Sequence, residues 1–181
     1  NICSIEDPIE IRLPGINQVA YHPRAGLDFA IIIRALLRQD PDVIMIGEIR
    51  DSSSAQLAIQ AAQTGHLVLS TLHTRNALGA LNRLKTLGVD QELIQSCLHC
   101  VSSQRLVRKI CRKCSAYSKK PECSCCRGSG YFGRYGVHEV LDSKQLESST
   151  PYLNIYSAGM RAVEAGIVDQ ASLDSEVGSW I

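Results

Sequence analysis

The chain has 181 residues, 45% of them apolar and 20% charged, with a formal net charge of +1. That suffices for one domain of ordinary size with a sizeable core, or for one domain and a small satellite. The near-neutral balance gives no electrostatic reason to expect nucleic acid or an acidic partner, and no apolar run approaches the roughly 20 residues that span a bilayer.

Asn1 opens directly onto a strand-like run, Ile2-Cys3-Ser4-Ile5, with no basic-then-apolar leader before it. The chain is therefore expected to be a fragment, or to have lost its start. The run ends in an acidic cluster, Glu6, Asp7 and Glu10. Carboxylates at a strand end can position a hard cation such as Mg²⁺ or its waters, or they can form a solvated loop. Pro14-Gly15 marks a turn, and Ile16 to Tyr21 reads as a second strand. Between Gly26 and Gln39 the spacing of Leu27, Ala30, Ile31, Ala35 and Leu37 predicts a largely buried helix, stopped by Asp40-Pro41-Asp42.

Val43-Ile44-Met45-Ile46 is a short unbroken apolar run, the pattern of a parallel strand buried on both faces. Gly47-Glu48-Ile49-Arg50-Asp51 follows it at once. Ligands of open α/β sheets sit beyond the carboxyl ends of strands, so Glu48 is the first candidate for chemistry. Asp51 and Ser52 can cap a helix whose Ala55, Ala58, Ile59 and Ala62 share one face, with Gly65 past its end. His66 to Leu72 reads as a third buried strand. His66 and His73 are seven residues apart, which places them on opposite faces and argues against a shared metal. One is expected at the start of that strand and the other at its carboxyl end, near Glu48. Either can equally be a structural histidine.

Thr74 or Asn76 can cap a helix with Ala77, Ala80, Leu81 and Leu84 inward and Gly88 beyond. Ile94, Cys97, Leu98 and Val101 repeat that spacing in a longer helix, expected to close with Arg105, Arg108 and Lys109. Cys97 and Cys100 then share a helical face as core residues. Alternating strands and helices give an α/β fold, a parallel three-layer sandwich. Composition changes at Ile110, so three parts are expected: 1–110, a cysteine-rich satellite 111–141, and a helical tail 142–181 with its pattern around Ala162-Val163.

The chain has eight cysteines, and without a secretory leader their pairs point to metal rather than disulfides, in a cytosolic chain. Cys111-x-x-Cys114 and Cys123-x-x-Cys126 have the knuckle spacing of a structural zinc site. Lys113, Lys119 and Lys120 stand nearby to offset the thiolate charge. Cys125 is a spare thiol that can also displace Cys123 as ligand. Gly128-Ser129-Gly130-Tyr131-Phe132-Gly133 spells a dinucleotide fingerprint but follows a knuckle rather than a strand, so its glycines are assigned to turns.

Together these segments resemble the secretion ATPase superfamily that drives type II secretion and type IV pilus assembly. Asn1 to Glu10 resembles its aspartate box, Leu36 to Asp51 its atypical Walker B segment, and Ala62 to Thr74 its histidine box. Gln104-Arg105-Leu106-Val107-Arg108 and Gly130-Tyr131-Phe132-Gly133-Arg134 match the flanks of its tetracysteine motif. The resemblance implies a partial RecA-like P-loop NTPase domain with a zinc-knuckle satellite and a short helical tail. It implies Glu48 as the carboxylate that orients water, and Glu6, Asp7 and Glu10 as the group managing Mg²⁺. His66 and His73 would contact the γ-phosphate side, with Gly47, Arg50, Asp51 and Thr71 lining the nucleotide, and Cys111, Cys114, Cys123 and Cys126 would hold zinc. The implied cofactors are ATP, Mg²⁺ and Zn²⁺.

The implied assembly is a hexamer with full-length subunits, peripheral at the cytoplasmic face of the bacterial inner membrane and working on a platform protein there, without nucleic acid. The retraction branch of the family usually lacks the four cysteines, which favours assembly or secretion over retraction. Two departures are local: Arg75 replaces a small polar residue, and the eight residues between the cysteine pairs are fewer than usual. A third matters more. Residues 1–181 contain no G-x-x-x-x-G-K-[ST] loop to cradle phosphates, so the isolated chain is expected to hydrolyse ATP poorly or not at all. The alternative is a zinc-stabilised module that docks on full-length subunits or on the platform.

Overall fold

The computed structural model describes residues 1–114, 121–142, 145 and 151–178. They divide into two compact units, one of residues 1–74 and 79–99, the other of residues 75–78 and 100–181.

In the first unit, β1 (Ile2–Glu6), β2 (Ile16–Ala20), β3 (Val43–Ile46) and β4 (Leu67–Ser70) form a wholly parallel sheet in the order β2-β1-β3-β4. Helices α1 (Phe29–Leu36) and α2 (Ser52–Gln63) connect its strands. Asp28 caps α1 by accepting from the Ile31 amide, and Asp51 with Ser54 closes a capping box on α2. Cys3 and Ile5 of β1 and Ile44 and Ile46 of β3 point to one face. There they meet Phe29, Ile32, Ile33 and Leu36 of α1 and Ala55, Ala58, Ile59 and Ala61 of α2. Helix α3 (Ala77–Thr86) and α4 (Gln91–Cys97) add Leu84 and Ile94 to this core.

The alternate residues tell a different story. Ile2, Met45, Leu67 and Leu69 are 39–53% exposed, and the register lines them up on the opposite face. The expectation that β3 and β4 are buried on both faces is corrected: among the described residues the helical core covers one face. An unbroken apolar run records what a strand can bury, not what lies over it.

The second unit departs most from the sequence reading. Helix α4 stops at Cys97, and Leu98 is already extended. Cys100–Ile110 is β5, a strand that pairs antiparallel with β6 (Tyr131–Asp142) from Cys100↔Asp142 to Ile110↔Tyr131. The long helix through Arg105, Arg108 and Lys109 does not form. Cys97 ends a helix and Cys100 lies exposed on a strand, so they share no helical face. Residues 100–110 fall in the same compact unit as residues 75–78, the cysteine segment and the tail, whereas the change of composition lies at Ile110. The inner face of the hairpin, with Val107 and Val137, packs on α5 (Ile155–Glu164) and α6 (Gln170–Glu176) through Ile155, Ala162 and Leu173, and on Val177 just beyond α6. Tyr131 donates from its hydroxyl to Asp169 (2.5 Å), and Asp169 caps α6 by accepting from the Ser172 amide (2.8 Å). Burial pushes the Asp169 carboxyl up, but the bonds from Tyr131 and Ser172 outweigh it and hold it below the usual range.

Candidate functional site

Because the first sheet is parallel, the carboxyl ends of β1, β3 and β4 lie along one edge, and Glu6-Asp7, Gly47-Glu48 and Thr71 leave the strands there. Gly47 makes the approach possible. Its amide donates to the Ile5 carbonyl (2.8 Å), and a Cβ would sit 2.8 Å from that same oxygen. Thr71 donates its hydroxyl to the Gly47 carbonyl (2.6 Å), and the Ile49 amide donates to the Thr71 carbonyl (3.0 Å). The peptide around Glu48 is thus fixed from both neighbouring strands.

Glu48 itself is held at both oxygens. Arg50 donates to Oε1, and His73 Nε2 lies 3.0 Å from Oε2. Arg50 also pairs with Asp7 (3.2 Å), tying the acidic cluster to Glu48. Beneath it, Tyr21 and Phe29 stack with ring centroids 4.7 Å apart, and the guanidinium lies 6.0 Å from each centroid. Arg83 donates to the Arg50 carbonyl (3.2 Å). The hydrogen bond from Arg50, and after it that from His73, hold the Glu48 carboxyl below the usual carboxylate range. An ionised carboxylate with a fixed orientation is an acceptor for a water or for a metal-bound water, rather than a store of protons.

The other predicted residues are placed unevenly. Glu6 accepts from Ser4 (2.6 Å) and Gln18 (2.8 Å), so it faces β2. Glu10 is exposed, and none of the ion pairs among the described residues includes it. Asp51 is committed to capping α2, and Thr71 to Gly47. His73 reaches Glu48, as its position after β4 suggested. His66 does not: its Nδ1 lies 2.9 Å from the Ala61 carbonyl and 3.0 Å from the Thr64 hydroxyl, at the amino end of β4. It lies at the opposite end of β4 from Glu48, so of the two histidines only His73 is brought to Glu48 within this chain. The sequence reading missed Tyr21, Phe29 and Arg83. No motif marks them, because their relation to Arg50 exists only in the folded chain.

In the second unit the cysteine segment is the tip of the β5–β6 hairpin. The sulfurs of Cys111, Cys114, Cys123 and Cys126 all lie within 4.8 Å of one another, with Cys114 and Cys126 at 3.2 Å and Cys111 and Cys123 at 3.9 Å. Four sulfurs bound tetrahedrally at 2.3 Å from a zinc ion stand about 3.8 Å apart, so the donor set fits. This grouping selects Cys123 over Cys125 for the third position. Gly130 donates its amide to the Cys126 sulfur (3.3 Å), and the Cys111 amide donates to the Gly130 carbonyl (2.8 Å). Gly128 and Gly130 both have φ near +80°, which fits the turn role given to the glycines.

The backbone amides of Cys126 and Cys125 bring the Cys123 thiol down to about 6, while the neighbouring Cys126 thiol and burial push Cys114 up to about 12. Four thiols this close do not all ionise without a cation between them. Zinc would be held here by the four thiolates and would supply a structural cross-link. Lys119 and Lys120, expected to balance the charge, lie outside the described residues.

Residues 1–161 match the family model described as type II/IV secretion system protein. The chain is 47% identical over 178 residues to a protein transport protein HofB homolog of Haemophilus influenzae, covering 98% of this chain and 38% of that protein. It is 47% identical to the type II secretion system ATPase E of Vibrio cholerae (92% of this chain, 37% of the relative). It is also 47% identical to the type IV pilus assembly ATPase PilB of Thermus thermophilus (78% and 18%). The chain thus spans less than two-fifths of each relative's length. Among solved structures it is similar to the pilus retraction motor PilT with bound ADP, with a TM-score of 0.73 at 27% identity, covering 96% of this chain and 51% of that one.

Proposed function

The chain belongs to the type II/IV secretion system protein family, and from that premise we propose that it carries the water-orienting half of an ATP-hydrolysing motor. The observation that supports this reading best is Glu48, held between Arg50 and His73 at the carboxyl edge of the parallel sheet. In phosphoryl transfer the protein mainly positions groups and stabilises charge. Glu48 orients the attacking water, and Asp7, tied to it through Arg50, offers a carboxylate oxygen toward a hydrated Mg²⁺, which would neutralise phosphate charge. The motor works as a hexamer with full-length subunits at the cytoplasmic face of the inner membrane, on a platform protein of a pilus-assembly or type II secretion system. No helix among the described residues is long and apolar enough to cross a membrane.

The glycine-rich phosphate loop is absent from residues 1–181, so this stretch alone turns over little or no ATP. The test is a fusion in which the preceding portion of the Vibrio cholerae relative is joined ahead of Asn1. It is expected to hydrolyse ATP in a Mg²⁺-dependent way, and Glu48→Gln is expected to abolish hydrolysis while leaving ATP binding. A fusion that binds and hydrolyses ATP equally well with Glu48→Gln overturns the reading.

A second reading has its own support, because the second unit has a core and a thiol cluster independent of Glu48. On that reading the chain is a zinc-stabilised docking module. It then co-purifies with full-length subunits, and Cys111→Ser abolishes the association.

A further inference from the structure

Strand β6 buries a carboxylate that nothing satisfies. Glu139 is 1% exposed, and neither of its oxygens has a hydrogen-bond partner among the described residues. An unmatched buried acceptor is costly, and a charged one more so. Such a group calls for a donor that the fold itself can bring.

The register of the hairpin shows where that donor stands. Glu139 lies opposite Ser103 and Arg105 lies opposite Val137, so Arg105 and Glu139 are diagonal neighbours across the two strands. Both belong to the covered face. Ser103, Arg105 and Val107 alternate toward it on β5, as Val137, Glu139 and Leu141 do on β6. Diagonal neighbours stand about 7–8 Å apart, within reach of a long side chain. Arg105 is engaged elsewhere: its Nη2 donates to the Arg75 carbonyl (2.5 Å) and its Nη1 to the Gln104 carbonyl (2.8 Å). Arg75 opens the short segment 75–78, which belongs to the same compact unit as the hairpin.

We propose that Arg105 is a two-position latch, which holds the Arg75 carbonyl in this structure and swings to the Glu139 carboxylate in an alternate state that frees segment 75–78. Each position supplies what the other lacks. At Arg75 the guanidinium keeps two carbonyl acceptors in an exposed setting but leaves Glu139 unmatched. At Glu139 it can make a bidentate, charge-assisted pair in a dry site, but it gives up the segment and is itself desolvated. Opposed contributions of this kind let both states be populated.

Tyr152 is the rival donor. It lies near enough that burial, and then the charge of Glu139, push its hydroxyl up. A neutral hydroxyl nevertheless offers one bond and leaves the charge uncompensated, whereas a guanidinium remedies both. Arg75 follows His73 by two residues, so the latch holds the chain just beyond the partner of Glu48. The latch does not depend on reading Glu48 as the hydrolytic carboxylate.

The test is NMR relaxation dispersion on the 181-residue chain, read at the Arg105 Nε and at the Glu139 carboxyl carbon. Both are expected to exchange on the microsecond-to-millisecond scale with one common rate. Glu139→Met is expected to abolish the exchange at Arg105, and Tyr152→Phe to leave it. Arg75→Gly keeps the carbonyl but gives its backbone more freedom to lose, so it is expected to raise the alternate population about two- to fivefold. A static Arg105, exchange that survives Glu139→Met, or exchange abolished by Tyr152→Phe overturns the proposal. So does an alternate population that Arg75→Gly leaves unchanged. If Glu139→Met is poorly folded, the wild-type chain decides, because different rates at Arg105 and Glu139 rule the latch out.

Discussion

Glu48 depends on two side chains that follow it at very different separations, Arg50 two residues on and His73 twenty-five residues on. Its carboxyl is held below the ordinary range, so its partners stabilise the fold above the pKa of the unfolded chain. That contribution is lost as pH falls through the lower, folded value. Arg50→Gln is therefore expected to raise the carboxyl's titration toward the usual range, read by NMR of the Glu48 side chain. The same variant should melt at a lower temperature at pH 7, with the difference fading as both chains become protonated. Gly47 is a separate kind of residue effect. A Cβ there collides with a backbone oxygen, which has no rotamer to escape into. Gly47→Ala should cost roughly 1–3 kcal/mol in denaturant unfolding. Among these residues Gly47 and Glu48 stand out in the sequence because they end an apolar run. Arg50's seat over Tyr21 and Phe29 does not, since β2, α1 and β3 must all be in place before it exists.

At the scale of elements, the pairing of α5 and α6 is tightly specified. Gly159 lies against Leu173, and a Cβ would come within 2.2 Å of its Cδ1. Gly159→Ala is expected to destabilise the second unit by roughly 1–3 kcal/mol. Because Leu173 is fully buried, Leu173→Ala should cost roughly 2–5 kcal/mol. The double variant should cost clearly less than the sum, as a double-mutant cycle by thermal unfolding will read. The link from β6 to α6 through Tyr131 and Asp169 is a bond to a charged acceptor, so Tyr131→Phe should lose roughly 1.5–3 kcal/mol. Asp169 is also held low. The loss should be complete above the unfolded carboxylate range and shrink as pH falls through the folded value. Strand β5 shows where element reading fails. Ile94, Cys97, Leu98 and Val101 have helical spacing, while Val101, Ser103, Arg105 and Val107 alternate toward the covered face with period two. The two periodicities overlap on Val101, and pairing with β6, some thirty residues later, decides between them.

At the scale of the molecule, the two units are expected to respond differently to loss of metal. Removing zinc with a chelator should lower hydrogen-exchange protection across β5, β6 and the helices packed on them. The parallel sheet of the first unit should keep its protection, because its core shares no residue with the cysteine cluster. Equal loss of protection in both units would contradict this. The sequence by itself determined the parallel strands, the capped helices between them, the carboxylate at a strand end and the four-thiol donor set. These follow from local rules: apolar period, capping chemistry and ligand spacing act over fewer than about a dozen residues. Only the tertiary structure decided that Arg50 sits over Tyr21 and Phe29, that Cys123 rather than Cys125 completes the thiol set, and that residues 100–110 are a strand. Each of those depends on which distant backbone lies alongside, and on which way a side chain turns once it is there.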